Sequence, residues 1–410
     1  MTLQLCVAQL DFVVGDMAGN AQRIIDAAKS AYARGVRLVL TPELSLCGYA
    51  AEDLFLRPSF ITACDDALNS IASALAGLKD LHVVVGHPSG GDERSRSVSV
   101  PRRYNLASVL SEGQVVARYA KRELPNYQVF DERRYFTPGD KPCVFEVQGV
   151  KVGLLICEDA WFDQPAQETR AAGAELLAVI NASPFHMGKG GEREQTMAER
   201  VRDCGLPLVY AHLVGGQDEV VFEGRSFALQ ADATLAGRAP SFEESLFDIQ
   251  VQRQATGLRL QAALTPEDSE EGDLWRALVL GVRDYIGKNG FPGVIIGFFV
   301  ILLGGRQGVI ATLADSLGLG RWTFAYGLLG LFLAYLYFSL PRAIASYAAA
   351  AEAMDRALEE AARSLGASRW HIIRDVWLPE LAPTTLACGA IVFATAMGAF
   401  GTAFTLASKF

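Results

Sequence analysis

Positive charge is scarce in this sequence. Lys and Arg total 37 against 46 Asp and Glu, a net charge of −9 over 410 residues. A protein that binds nucleic acid needs basic surface to displace phosphate counterions, so that partner is not expected. Cysteine is sparse and scattered: seven residues (Cys6, Cys47, Cys64, Cys143, Cys157, Cys204 and Cys388), with no CxxC. The spacing argues against a disulfide framework or a zinc site and makes a reducing compartment the default. There are five histidines, and none stands beside a candidate nucleophile. The N-terminus lacks a basic region and meets Asp11 early, so residues 3–10 read as a first strand rather than a signal peptide. Hydrophobic residues make up 50% and charged ones 20%, which excludes disorder for most of the chain.

What is present divides into two unlike halves. The mean hydropathy of +0.20 averages a soluble α/β pattern up to about residue 290 with a membrane-like pattern over 298–410. In the first half, apolar runs at 3–10, 36–40, 82–86, 176–180 and 208–213 read as strands. Helical spacing falls at 18–33, 58–78, 164–172, 192–204 and 274–288. Hairpins are expected around Ser111-Glu112-Gly113 and Gln148-Gly149, with a third joining 227–230 to 233–236. A mixed sheet packed against helices follows. Residues 251–273 are polar and ragged and read as a linker. In the second half, 323–340 and 384–408 are free of charge over 18 and 25 residues, long enough to span a bilayer at about 20 residues per crossing. The run 294–305 is only 12 residues long before Arg306, short of the roughly 17 required. Arg342, Arg356, Arg363, Arg369 and Arg374 between the two long runs place that loop on the cytoplasmic side.

Three motifs in the first half carry chemistry. Thr41-Pro42-Glu43-Leu44 puts a carboxylate at a strand end, Lys121-Arg122-Glu123-Leu124-Pro125-Asn126-Tyr127 puts a lysine after a strand, and Ile156-Cys157-Glu158-Asp159-Ala160-Trp161 puts a thiol after another. Strand ends are where open α/β folds gather their sites. A thiol at its free pKa is mostly protonated at neutral pH, so it needs a base or a cation beside it. Glu43 can take that proton and return it to leaving ammonia, and Lys121 can stabilise a thiolate and an oxyanion. Taken singly, each residue has an ordinary alternative: a buried small hydrophobe, a surface lysine, a helix cap.

In this order, the motifs resemble the Glu–Lys–Cys triad of the nitrilase (carbon–nitrogen hydrolase) superfamily. With Val129-Phe130-Asp131-Glu132-Arg133-Arg134-Tyr135-Phe136 and Asn181-Ala182-Ser183-Pro184-Phe185-His186, residues 1–250 resemble the glutaminase domain of the glutamine-dependent NAD⁺ synthetases. The resemblance implies a four-layer αββα sandwich that self-associates, glutamine as substrate, Glu43, Lys121 and Cys157 as the triad, and Glu132 as a supporting carboxylate. It also implies that Tyr127, Glu158 and Ser183 line the substrate pocket. Residues 274–297 resemble the opening helix and first strand of the synthetase module, which makes 251–297 a linker and a truncated start. The Ser-Gly-Gly phosphate loop of that family is missing after Gly297, so neither ATP binding nor NAD⁺ synthesis is expected, and no cofactor or metal.

The second half is similar to another family. Glu359-Glu360-Ala361-Ala362-Arg363-Ser364-Leu365-Gly366-Ala367-Ser368, with Leu378-Pro379 downstream, resembles the EAA loop of ABC-importer permeases. That resemblance implies an all-α transmembrane fragment over 298–410 in which Glu360, Ala361, Ala362 and Gly366 dock an ABC ATPase subunit. The combined expectation is a glutaminase fused to a partial permease in a bacterial inner membrane, the enzyme facing the cytoplasm, or remaining there if the permease part fails to insert. The alternatives are a transport component with a passive hydrolase passenger and a non-physiological joining of two genes.

Overall fold

The computed structural model describes residues 2–90, 102–127, 130–218, 220–289, 362–363, 366–387 and 389, in two compact units divided after Gly290. Among the described residues, the first unit holds two large sheets and a two-stranded ribbon. One has seven strands: β1 (Thr2–Gln9), β2 (Leu38–Leu40), β3 (His82–Gly90), β4 (Arg103–Ser111), β5 (Gln114–Ala120), β14 (Ser245–Gln254) and β15 (Gly257–Ala262), in the order β15-β14-β1-β2-β3-β4-β5. The other has six: β6 (Val144–Val147), β7 (Val150–Ile156), β8 (Leu176–Asn181), β9 (Leu208–His212), β12 (Phe227–Leu229) and β13 (Leu235–Arg238), in the order β13-β12-β9-β8-β7-β6. A two-stranded ribbon, β10 (Val214–Gln217) and β11 (Val220–Glu223), stands apart. The pairs β1–β2, β2–β3, β7–β8 and β8–β9 are parallel.

The period-two alternation of β1 explains the layering. Leu3, Leu5 and Val7 pack into the cluster that also contains Val152, Leu154 and Val179 of the second sheet, so the two sheets meet face to face. Cys6 and Ala8 point the other way, into a cluster with Ile24 and Ala28 of α1 (Met17–Ala33) and Leu68 and Ile71 of α2 (Pro58–Leu75). After the short α3 (Glu132–Tyr135), Ala166 of α4 (Asp163–Ala171) and Met197 and Val201 of α5 (Lys189–Cys204) pack against the far side of the second sheet. Helix, sheet, sheet, helix is the expected sandwich. The expected hairpins form too: Glu112 and Gly113 (φ +48° and +82°) and Gln148 and Gly149 (φ +46° and +73°) turn left-handed between their strands, as two-residue turns require.

One expectation fails. Residues 251–262 are not linker: β14 pairs along the whole of β1, and β15 pairs with β14. The stretch reads as polar because β15 is an edge strand with one wet face, where only every other side chain needs to be apolar. Leu260 is 1% exposed. Next comes α6 (Glu270–Lys288), begun by the Ser269 side chain, which accepts from Gly272 N at 3.0 Å.

In the second unit, the main-chain N–H of Gly366, at φ +82°, donates to Arg363 O, and Ser368 caps a helical turn at Arg369–Ile372. Among the described residues, no helix is long and apolar enough to cross a membrane. The expected span 323–340, the short run 294–305, most of 384–408, and Glu360 and Ala361 lie outside the described residues.

Leu260→Ala should cost about 2–5 kcal/mol, as deletion of a buried leucine side chain does. Urea unfolding checks this; an unchanged midpoint would restore the linker reading.

Candidate active site

Two strand ends in this fold are sharply bent. Leu44, directly after Glu43, has φ +50°, and Cys157, directly after β7, has φ +48°. Left-handed backbone at such residues is uncommon and clusters at functional sites. The first bend packs hard against β3: a Cβ on Gly86 would lie 2.4 Å from Pro42 O and 2.9 Å from Glu43 Cα. Glycine is thus required at 86 so that the main chain carrying Glu43 can approach.

The side chains at these ends converge in a site closed to solvent. Glu43 and Lys121 are 0% exposed and Cys157 2%. Lys121 Nζ donates to Glu43 Oε1 at 2.7 Å and to Glu132 Oε1 at 2.8 Å. Two of its three N–H groups are thereby used, which leaves the third for a substrate oxygen. Glu43 accepts two further bonds, from Asn105 Nδ2 to Oε1 at 2.8 Å and from Ala182 N to Oε2 at 3.1 Å. A carboxylate offers about four acceptor positions, so one on Oε2 stays open to take a proton. Tyr49 OH donates to Glu132 Oε1 at 3.3 Å, and Glu132 Oε2 is buried without a partner.

The electrostatics fix resting protonation states. Burial first, then the Glu43 carboxylate, pushes the Cys157 thiol well above its usual range, and the Lys121 ammonium only partly offsets them. Cys157 therefore rests as a thiol. Desolvation opposes the charge of Lys121, yet its pKa is held well above its ordinary value by the anions around it, Glu132 and Glu43 and, only when ionised, Cys157. Burial raises Glu132 to about 7, against the pull of Lys121. The site thus has a neutral nucleophile, a fixed cation and a base within reach.

The other expected residues form two groups. At the mouth, Tyr127 OH donates to Glu158 Oε1 at 2.9 Å; Tyr127 is 51% exposed, and burial raises the Glu158 carboxyl. Ser183 sits beside Ala182, its Oγ accepting from Arg193 Nε at 3.0 Å and its carbonyl from Arg193 Nη2 at 3.1 Å. Arg193 is in turn paired with the buried Glu223. Ala362 and Gly366 belong to the second unit. Asn105, Tyr49 and Arg193 were not legible in the sequence, since their partners lie far along the chain. Among the described residues, no group of His, Cys, Asp and Glu could hold a metal ion.

A sequence model of the carbon–nitrogen hydrolase family matches residues 4–259. The chain belongs to the carbon–nitrogen hydrolase family. It is an enzyme of the nitrilase superfamily by that match and by its relatives. It is 43% identical over 327 residues to a glutamine-dependent NAD⁺ synthetase of Xylella fastidiosa, covering 78% of this chain and 57% of that one. The structure of a glutamine-dependent NAD⁺ synthetase from Acinetobacter baumannii in complex with adenosine diphosphate superposes with a TM-score of 0.65 at 35% identity, over 72% of this chain and 53% of that one. An amidase from Nesterenkonia sp. AN1 superposes with a TM-score of 0.52 at 26% identity, over 61% of this chain and 89% of that one. That amidase was solved as a Glu-to-Gln mutant with the acetamide moiety of fluoroacetamide covalently added at its active-site cysteine. This chain thus spans just over half the length of the synthetases it resembles. A second family, the binding-protein-dependent transport system inner membrane component, matches residues 288–409.

Lys121→Met leaves Glu43 and Glu132 buried with no cation between them. It should lower stability by about 3–5 kcal/mol, as loss of one member of a buried ion pair does, and Lys121→Met with Glu132→Gln should recover part of this without restoring turnover. Denaturant unfolding alongside an amidase assay checks both; a Lys121→Met chain of wild-type stability would contradict the charge assignment.

Proposed function

We propose that this chain hydrolyses L-glutamine to L-glutamate and ammonia through a γ-glutamyl thioester on Cys157. The observation that carries the reading is the Lys121 ammonium held between Glu43 and Glu132 in the closed site that contains the thiol. Because Cys157 rests protonated, its proton passes to the open position on Glu43 Oε2 as Sγ attacks the amide carbon. The oxygen of that carbonyl becomes an oxyanion, stabilised by the remaining N–H of Lys121. The tetrahedral species collapses, the C–N bond breaks, and Glu43 returns the proton to the departing ammonia. Glu43 then takes a proton from water, the resulting hydroxide attacks the thioester, and glutamate leaves while the proton returns to sulfur. Glu132 keeps Lys121 in place. Glutamine as the amide is supported by the similarity to glutamine-dependent synthetases. Tyr127 and Glu158, with the buried Ser183, then receive its amino-acid end.

In this reading the chain supplies ammonia and needs no ATP, metal or other cofactor of its own, and NAD⁺ synthesis requires a synthetase module from elsewhere. Self-association through the hydrolase unit belongs to the same proposal. A second reading rests on the transport-family match over 288–409: the same chain contributes a permease-like segment at a bacterial inner membrane, with Glu360, Ala361, Ala362 and Gly366 facing an ABC ATPase subunit and the hydrolase unit in the cytoplasm.

The full chain incubated with glutamine should release ammonia and glutamate in equal amounts, and Cys157→Ala should lower that rate at least about a thousandfold, as loss of a covalent nucleophile does. A coupled glutamate assay checks it; a Cys157→Ala chain that keeps its rate would dismiss the thioester.

A further inference from the structure

Asp159 lies two residues after the nucleophile, is 0% exposed, and touches none of Glu43, Lys121 or Cys157 through a hydrogen bond. Its carboxylate nonetheless accepts four. Oδ1 takes the main-chain N–H groups of Arg122 at 2.9 Å and Glu123 at 2.7 Å. Oδ2 takes Ile156 N at 3.1 Å and the Tyr119 hydroxyl at 2.9 Å. The four donors come from two places only. Tyr119, Arg122 and Glu123 flank Lys121 at the end of β5, in the seven-stranded sheet, and Ile156 immediately precedes Cys157 at the end of β7, in the six-stranded sheet. One carboxylate thus fastens the strand end that presents the ammonium to the strand end that presents the thiol.

We propose that Asp159 is a positioning residue that sets the placement of the Lys121 ammonium relative to the Cys157 thiol by clamping these two strand ends across the sheet interface. The four-acceptor demand explains why an ionised aspartate is needed there: a carboxylate can satisfy all four donors, whereas an amide offers one oxygen and turns an N–H pair toward the remaining donors. The placement also has a cost that a merely structural residue would avoid. Burial raises the Asp159 carboxyl to about 6, although the donors and Lys121 pull it down. Between the unfolded carboxyl's value of about 4 and that raised value, the folded chain holds a proton that the unfolded chain has released. Unfolding free energy from this group therefore falls as pH rises through that window and is lowest at neutral pH.

The proposal rests on the amidohydrolase reading, and its test has one arm independent of the substrate. Asp159→Asn in the full chain, assayed below its own unfolding temperature, should lower kcat for glutamine about 100-fold, the scale of a displacement of about 1 Å in a reacting group, with KM within about twofold. Tyr119→Phe, which removes one donor and keeps the carboxylate, should lower kcat by less. In the absence of glutamine, N-ethylmaleimide modification of Cys157, followed by peptide mass spectrometry around neutral pH, should be slower in Asp159→Asn at every pH, because the ammonium no longer favours the thiolate. Failure of glutamine turnover in the wild-type chain would sink the substrate assignment and leave this last arm standing. An Asp159→Asn chain with wild-type kcat, or one whose activity loss follows a fall in Tm while the alkylation rate stays unchanged, would overturn the clamp.

Discussion

A single ammonium group, withdrawn from water and set between two carboxylates, is the constraint on which this enzyme unit depends. Lys121 is 0% exposed and bonded to both Glu43 and Glu132. Taking three charges out of solvent is costly, and a chain can bear it only where the geometry satisfies nearly every donor and acceptor. The neighbours do most of this: Asn105 and Ala182 donate to Glu43 and Tyr49 to Glu132, while Glu132 Oε2 stays without a partner. Burial first and the Glu43 carboxylate next account for the protonated resting state of Cys157, which the Lys121 ammonium only partly offsets. In the proposed reaction the thiol gives up its proton to Glu43 only as it attacks the substrate.

The fold exists, in this light, to bring four separate strand ends to one point. Glu43 follows β2, Lys121 follows β5, Cys157 follows β7 and Ala182 follows β8. No sheet alone could do this, since β2 and β5 belong to one sheet and β7 and β8 to the other. Face-to-face stacking of the alternating Leu3, Leu5 and Val7 on Val152, Leu154 and Val179 aligns the ends. Close approaches at Gly86 and at Gly153, where an added Cβ would lie 2.2 Å from Thr169 Cγ2, let the layers settle without gaps. β14 and the edge strand β15 widen the first sheet, with Ile249 and Val251 of β14 fully buried.

Glu43, Lys121 and Cys157 were legible in the sequence because each follows a strand within a short motif, and the three motifs come in an order that resembles one family. Most strands and helices formed within a few residues of their expected limits, because apolar spacing is also a local pattern. What could not be read was tertiary. Asn105 looks like any polar residue in a strand, yet it bonds to Glu43 62 positions away. Asp159 reads as part of a turn beside the cysteine, and nothing local reveals that Arg122 and Glu123 point their N–H groups at it. The 251–262 stretch was misjudged because an edge strand shows half the apolar signal of a central one. In the second half, the family likeness rests on the Gly366 elbow and charge-free runs, most of which lie outside the described residues.

Covalent catalysis at Cys157 stands or falls on where the acyl group is carried. Full-length chain mixed with glutamine, quenched in acid during turnover and digested, should yield one γ-glutamyl adduct, on the peptide containing Cys157, and that adduct should vanish on treatment with neutral hydroxylamine. Turnover at full rate with the adduct on another residue, or with none at any quench time in a variant slowed at thioester hydrolysis, would contradict it.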